Sequence, residues 1–353
     1  MREVLVIKPS SLGDIIHSAG AVDAIARAGE GCRITWIVNE EYASFVRELP
    51  GVADVLPFPR RRFRWSRFPL WLPAAISWMR GLRRGFDVAV DLQGLQRSGL
   101  MARTSGAAER FGPRQAREFA WIYYTHAISI PADLRHAIDR VNFLAAEVIR
   151  RSSRLAPPPG GEVSLPQEAF RIPVPARAQD RVGELVGGSS RRLLALCPGT
   201  RWQSKLWPTD YWVDLLRRLR ERFPDLHPVL LGAPSEAAEI ATIAEQSGVD
   251  ASNLAGTADL WETAALLEKA ELAITMDSAP LHLAAAVSTP TIALFGPTEP
   301  LRVAPRGPHH RVLRREELDC LACYRKECPL ARRACLLDLT PEQVLAAAAE
   351  VIS

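Results

Sequence analysis

The chain has 353 residues, 48% of them hydrophobic and 24% charged, with 44 lysines and arginines against 40 aspartates and glutamates. That length suits two globular domains, and a formal net charge of +4 is too slight a basic excess to imply a nucleic-acid partner. The apolar run in residues 1–8 is too short for a signal peptide, and no run approaches the ~20 apolar residues of a membrane span, so a cytoplasmic protein touching at most a membrane surface is expected. In chain order, apolar and β-branched runs recur at Val4–Ile7, Ile34–Val38, Val88–Val90, Leu193–Cys197, Val229–Leu231, Leu272–Met276 and Thr291–Phe295. Helical stretches such as Asp14–Ala28 and Tyr211–Arg222 lie between them. This alternation predicts βαβ units and parallel sheets. The Pro/Gly-rich run 151–161 cannot continue a helix or a central strand and reads as a linker. The expected architecture is α/β: two Rossmann-like domains, 1–170 and 171–340, their parallel sheets facing across a cleft. A closing helix over 341–353 has Thr340 as N-cap and Pro341 in its first position.

The first apolar run ends in Lys8-Pro-Ser-Ser-Leu-Gly-Asp14. Neither a Gly-Lys-Ser/Thr phosphate loop nor Gly-x-Gly-x-x-Gly is present. What the loop offers is a carboxylate, Asp14, at the head of a helix, as a cap or as a general base. Between Phe58 and Gly85 stand eight arginines and no acid: Arg60, Arg61, Arg62, Arg64, Arg67, Arg80, Arg83 and Arg84. Phe63, Trp65, Phe68, Trp71 and Trp78 are interleaved with them. Such a stretch suits single-stranded nucleic acid, an anionic membrane surface, or the phosphates of an anionic acceptor. The outer arginines also suit a plain solvated face. His136 and Arg140 are spaced for one helix face and read as structural.

In the second half, Cys197-Pro-Gly-Thr200 ends a strand, and Lys205 precedes Trp207-Pro208. Thr200 can donate to a phosphate, and Lys205 can neutralise a leaving-group charge unless it is simply a solvated loop lysine. Glu236 follows Gly232-Ala-Pro-Ser and suits ribose hydroxyls or the first turn of a helix. Met276-Asp277-Ser278-Ala279 leads from a strand into a helix carrying His282. Unpaired N–H groups and a positive dipole end there suit a nucleotide diphosphate, with Asp277 left to accept hydroxyl hydrogen bonds. An ordinary junction, Asp277 capping the helix and His282 packed inside, is the alternative. Four late cysteines, Cys320, Cys323, Cys328 and Cys335, match a structural zinc site in number. Their spacing does not match the usual zinc-ribbon pair, so no metal is expected, and disulfides are disfavoured in a reducing cytosol.

Taken together, six segments in this order resemble the lipopolysaccharide heptosyltransferases of glycosyltransferase family 9. They are Ser10–Ile15, Asp91–Leu95, Lys205–Pro208, Gly232–Pro234, Met276–Ser278 with His282, and Phe295–Thr298. The resemblance implies a GT-B fold and an enzyme that moves L-glycero-D-manno-heptose from ADP-heptose to the Kdo-lipid A inner core. The reaction would invert the anomeric centre and need no cofactor or metal, and type I would be favoured over type II. It further implies Asp14 as base and Lys205 with Thr200 at the diphosphate. Glu236 would meet the nucleoside, and Asp277, Ser278, Ala279 and His282 the donor sugar and phosphates. Ser278-Ala279 stands where type I enzymes usually carry Thr-Gly, and Ala258 where a Met is usual near the adenine. In this frame Ser10, Arg60, Arg61, Arg64 and Arg117 become candidates for acceptor binding. The protein would then be a monomer peripheral to the cytoplasmic face of the inner membrane, with no nucleic-acid partner.

Overall fold

A computed structural model describes residues 2–29, 31–63, 70–155, 165–188, 192–330 and 332–352. The chain divides into two compact units, Met1–Phe170 and Arg171–Ser353. The first runs β1 (Arg2–Ile7), α1 (Leu12–Ala28), β2 (Cys32–Asn39), α2 (Ala43–Arg47), β3 (Val52–Phe58), α3 (Leu72–Arg80), β4 (Val88–Asp91), α4 (Gln96–Thr104), β5 (Glu109–Pro113), β6 (His126–Ile128) and α5 (Ala137–Arg151). The second runs α6 (Ala176–Leu185), β7 (Arg192–Cys197), α7 (Thr209–Arg222), β8 (Leu226–Leu230), α8 (Ala237–Ser247), β9 (Ser252–Asn253), α9 (Leu260–Lys269), β10 (Ala270–Met276), α10 (Ala279–Ala286), β11 (Thr291–Leu294), β12 (His310–Leu313), α11 (Ala334–Leu337) and α12 (Pro341–Ile352).

Each unit carries one six-stranded sheet, ordered β3-β2-β1-β4-β5-β6 in the first and β12-β11-β10-β7-β8-β9 in the second. Every pairing is parallel. Both orders are the doubly wound Rossmann order, so each sheet has a switch point, between β1 and β4 and between β7 and β10. Val4 to Ile7 of β1 and Leu272 to Ile274 of β10 are fully buried. Consecutive burial means that both faces are covered, and such strands read as unbroken apolar runs.

Five strands lack that signature, and the sequence reading passes over them: β3, β5, β6, β9 and β12. Four of these, β3, β6, β9 and β12, are the sheet edges. Edge strands are short, half-exposed and tolerant of Pro, as Pro57 in β3 illustrates. Pro228 lies in β8 at a level where only β7 pairs, because β9 begins opposite Val229. The closing helix α12 belongs to the second unit's core, where Val344, Ala347 and Ala348 cluster with Trp207 and Trp212. Thr340 and Gln343 cap it reciprocally. Helix α1 begins at Leu12, two residues before the expected start, with Ser11 as its N-cap.

At the end of β4 the buried Asp91 organises the first switch point. Its Oδ1 accepts the N–H groups of Gln93 and Gly94 at 2.8 and 3.0 Å, and its Oδ2 accepts the Tyr124 hydroxyl at 2.7 Å. Burial raises its pKa above the ordinary carboxyl value despite these bonds. Asp91→Ala leaves three buried donors unmet, at about 1–3 kcal/mol each. A loss of roughly 3 kcal/mol or more in urea unfolding is expected, with Asp91→Asn much milder. A carboxyl with a raised folded pKa loses its contribution as pH rises through that pKa. Asp91→Asn should therefore gain on the parent as the pH rises from acid, and unfolding curves at several pH values measure this directly.

Candidate active site

In the first unit, residues 8–11 leave the carboxyl end of β1 and run into α1. Asp14 is the third residue of α1, half-buried, and its Oδ2 accepts both the N–H of Ser11 at 3.0 Å and its hydroxyl at 2.7 Å. Ser11 therefore caps the helix, and Asp14 completes a capping box from inside the first turn. Across the switch point, the N–H of Ser10 donates to Gln93 Oε1 at 3.4 Å, and the N–H of Arg117 donates to the Gly94 carbonyl at 2.9 Å. The loop held by Asp91 thus gathers the backbones of Ser10 and Arg117 at the edge where Asp14 stands. Arg60, Arg61 and Arg117 have exposed side chains. Arg97 lies 5.0 Å over the Phe58 ring, and its pKa is lowered by burial and by the nearby Arg60. Arg64 falls outside the described residues. His136 caps α5 by accepting the N–H of Ile138, a structural role.

In the second unit, the loop after β7 carries Thr200 and, on a short 3-10 turn, Lys205. Lys205 Nζ donates to Asp277 Oδ2 at 2.6 Å and to the Asp277 carbonyl at 3.2 Å. The Thr298 hydroxyl donates to the same Oδ2 at 2.5 Å. The ammonium also lies 4.8 Å from the Trp202 ring centroid. Only 15% of the Lys205 side chain and 6% of the Asp277 side chain are exposed. Lys205 is therefore a buried ion-pair partner, not a solvated loop lysine. Nor is Asp277 wholly available for hydroxyls: Oδ2 is occupied, and Oδ1 alone has no partner among the described residues.

Ser278, not Asp277, is the N-cap residue of α10. Its buried Oγ has no partner among the described residues. Ala279 opens α10, and His282 is buried one turn further on. Glu236 immediately precedes α8, and its Oε2 accepts the N–H of Ala233 at 2.8 Å. A Cβ on Gly199 would overlap the Glu236 carboxyl, so this glycine lets the carboxylate reach from the end of β8 to the end of β7, beside Thr200. The fold thus places Thr200, Lys205, Glu236, Asp277, Ser278, Ala279 and His282 at or near the ends of three adjacent strands, β10, β7 and β8. Thr298 joins them from the end of β11, next in the sheet. Thr298 and Asp91 lie within the segments that carry the family resemblance, with no role expected of them there. Polar residues at the ends of strands flanking the switch point were the available signal.

Residues that stand between and beside the late cysteines brace this arrangement. Ser204 donates through its N–H to the Lys326 carbonyl at 3.0 Å and through its hydroxyl to the Arg325 carbonyl at 2.6 Å. Arg333 donates to the carbonyls of Gln203 and Leu206 at 2.6 and 3.0 Å, and the Tyr324 N–H donates to Pro297 at 3.0 Å. A Cβ on Gly296 would come within 2.9 Å of Leu336 and 3.3 Å of the Cys335 Sγ. Cys320 and Cys323 are exposed, Cys328 and Cys335 partly buried, and all four are free thiols. Among the described residues no three His, Cys, Asp or Glu side chains are grouped to hold a metal ion.

The family model Glycosyltransferase family 9 (heptosyltransferase) matches residues 75–333. The chain is 30% identical to lipopolysaccharide heptosyltransferase 1 of Pseudomonas aeruginosa, with 97% of this chain and 92% of that protein covered. The solved E. coli heptosyltransferase WaaC with ADP-2-deoxy-2-fluoro heptose aligns with a TM-score of 0.75 at 26% identity over 99% of each chain. E. coli ADP-heptose lps heptosyltransferase II aligns with a TM-score of 0.78 at 22% identity, covering 100% of this chain and 98% of that one, a likeness of fold.

Removing one partner of a buried ion pair leaves the other charge uncompensated, at about 3–5 kcal/mol. Asp277→Ala should lose stability on that scale in urea unfolding at an unchanged slope, and a loss near zero would mean that the pair does not form. Thiol labelling at mildly alkaline pH should modify Cys320 and Cys323 first. Cys197 is buried and Cys32 has its pKa pushed up to about 11 by burial, so both should react last.

Proposed function

The chain belongs to glycosyltransferase family 9, the heptosyltransferases of lipopolysaccharide core assembly, and on that premise we propose that it is a type I enzyme. It transfers L-glycero-D-manno-heptose from ADP-heptose to Kdo-lipid A with inversion. The first unit holds the acceptor and the second the donor. The full-length relative in Pseudomonas aeruginosa bears the type 1 name, which supports that acceptor.

The observation that carries the donor assignment is the Lys205–Asp277–Thr298 cluster at the start of α10. An ammonium has three N–H donors, and two of them already fix its direction. The third donor and the N–H groups opening α10 are then aimed at an incoming diphosphate. Asp277 acts mainly by orienting Lys205. Its Oδ1, with Ser278, Ala279 and His282, meets the donor sugar and phosphates. Thr200 donates to the diphosphate, and Glu236 accepts ribose hydroxyls.

Transfer is a single displacement. Asp14 takes the proton of the acceptor hydroxyl, and that oxygen bonds to the anomeric carbon. The bond from this carbon to the β-phosphate oxygen breaks, and ADP departs with its charge met by Lys205 and α10. One displacement inverts the centre. Fixed cationic groups supply the charge stabilisation, so the reading needs no metal ion and no cofactor. Ser10 and the arginines Arg60, Arg61 and Arg117 hold the anionic acceptor, whose phosphate and carboxylate groups suit planar guanidinium forks. The enzyme works as a monomer at the cytoplasmic face of the inner membrane, where such an acceptor is anchored. Among the described residues no helix is long and apolar enough to cross a membrane.

Release of ADP from ADP-heptose should require Kdo-lipid A and survive EDTA. Asp14→Ala should lower turnover by about 10²–10⁴-fold while donor binding, read by calorimetry, persists. A monoheptosylated acceptor used in preference would reassign the enzyme to type II, and ADP release independent of any acceptor would count against transfer.

A further inference from the structure

Seven large apolar side chains of the first unit are exposed among the described residues, and all seven lie on one set of connections. Leu70, Leu72 and Ile76 belong to α3 and its approach, which leave the carboxyl end of β3. Leu100 lies on α4, which follows β4. Phe119, Trp121 and Ile122 lie on the 3-10 stretch Arg117–Tyr123, which follows β5. Helix α4 touches both α3 and this stretch, so the three segments adjoin. The exposure is substantial: 86% for Leu70, 74% for Phe119 and 57% for Ile122. Glu118 and Phe119 hold left-handed backbone, φ 56° and 58°, where a bulky side chain is disfavoured.

Among the described residues, helix α3 is fastened through one side. Trp78 and Met79, with Phe63, pack on Leu56, Phe58, Leu82 and Phe86, and the Trp78 ring N–H donates to the Pro57 carbonyl at 3.1 Å. Leu72, Ile76 and Arg80 follow at four-residue spacing on the other side, all exposed. Exposed Arg61, Arg62 and Arg83 stand in the turns at either end of this connection, and no acid occurs between residues 58 and 85. Apolar side chains beside an arginine-rich, acid-free connection fit a surface that is apolar inside and anionic at its rim, and the acids nearby are already engaged: Glu118 accepts the N–H of Gln96 and Asp54 pairs with Arg84. An isolated patch of this extent is otherwise a liability in water.

We propose that these connections form a docking surface for an anionic lipid bilayer, in which α3 lies in the interface plane. Leu72 and Ile76 enter the acyl boundary, with Leu70 and the side chains of Arg117–Tyr123 beside them, and the arginines take headgroup phosphates. The assignment rests on the reading of a lipid-anchored acceptor and adds where the membrane meets the protein. These connections all leave the carboxyl edge of the first sheet, the edge that carries Asp14, so docking there brings the headgroup region to the side of the proposed base.

The test is co-sedimentation of the full chain with vesicles of phosphatidylcholine alone and of phosphatidylcholine with phosphatidylglycerol in equal parts. The expected result is binding to the mixed vesicles only, weakening as salt rises. Leu72→Ser/Ile76→Ser should reduce binding about tenfold or more. ADP release with a deacylated, water-soluble Kdo acceptor should stay at the parent level. Phe119→Ser/Ile122→Ser should behave likewise, which guards against an accidental folding defect in one variant. Absence of binding by the parent, or unchanged binding by both variants, would overturn the proposal. So would a parent dimer in sedimentation velocity that either variant dissociates, because the patch would then serve a second copy. Capture of single-stranded RNA without vesicle binding would also overturn it. Failure of the soluble assay in the parent would strike at the donor and acceptor assignment instead, while the vesicle result would still decide the docking.

Discussion

A parallel strand cannot return to its neighbour through a tight turn; each crossover must climb back to the amino edge before the next strand begins. The twelve strands among the described residues therefore end at the carboxyl edges of their two sheets, and everything delivered by a strand end converges there. The doubly wound order adds one gap per sheet, where neighbouring connections leave in opposite directions. The candidate groups of the first unit, Ser10, Asp14 and Arg117, attach to the edge beside one gap. Those of the second, Thr200, Lys205, Glu236 and Asp277, surround the other.

What organises the second gap is a largely buried charge pair held by more than Coulomb attraction. Lys205 binds both the carboxylate and the carbonyl of Asp277, and Thr298 closes the remaining side of the same oxygen. Desolvating two charges is costly, and one contact would not offset it. The segments around the late cysteines add hydrogen bonds to the loops of Lys205 and Thr298 from behind. Lys205 is thereby held in place before any ligand arrives, which is the condition under which a cation stabilises a developing charge without reorganising.

The first gap is organised by different means. Asp91 is buried and has hydrogen-bond donors but, among the described residues, no paired cation, so it shapes a loop and does not serve as an exposed charge. Asp14 lies at the head of α1, where its carboxylate is held by the N–H and hydroxyl of Ser11. Around these, the connections after β3, β4 and β5 spread outward as a basic and apolar surface. One edge thus combines an ordered polar interior with a periphery suited to an anionic partner.

Much of this was legible in the chain itself. Central strands announce themselves as unbroken apolar runs because both of their faces are buried, and loop residues such as Asp14, Lys205 and Asp277 stand out where those runs stop. Edge strands such as β9 and β12 were hidden because half-exposed residues carry no such pattern. The sequence alone determined which residues arrive at strand ends, and it determined the arginine-rich, acid-free composition of residues 58–85. Only the tertiary structure decided who meets whom: Lys205 with Asp277 across 72 positions, Thr298 on the same carboxylate, and Tyr124 on Asp91. Burial leaves its mark residue by residue along the chain. Pairing depends on strand order, a property of the whole sheet that no local stretch contains.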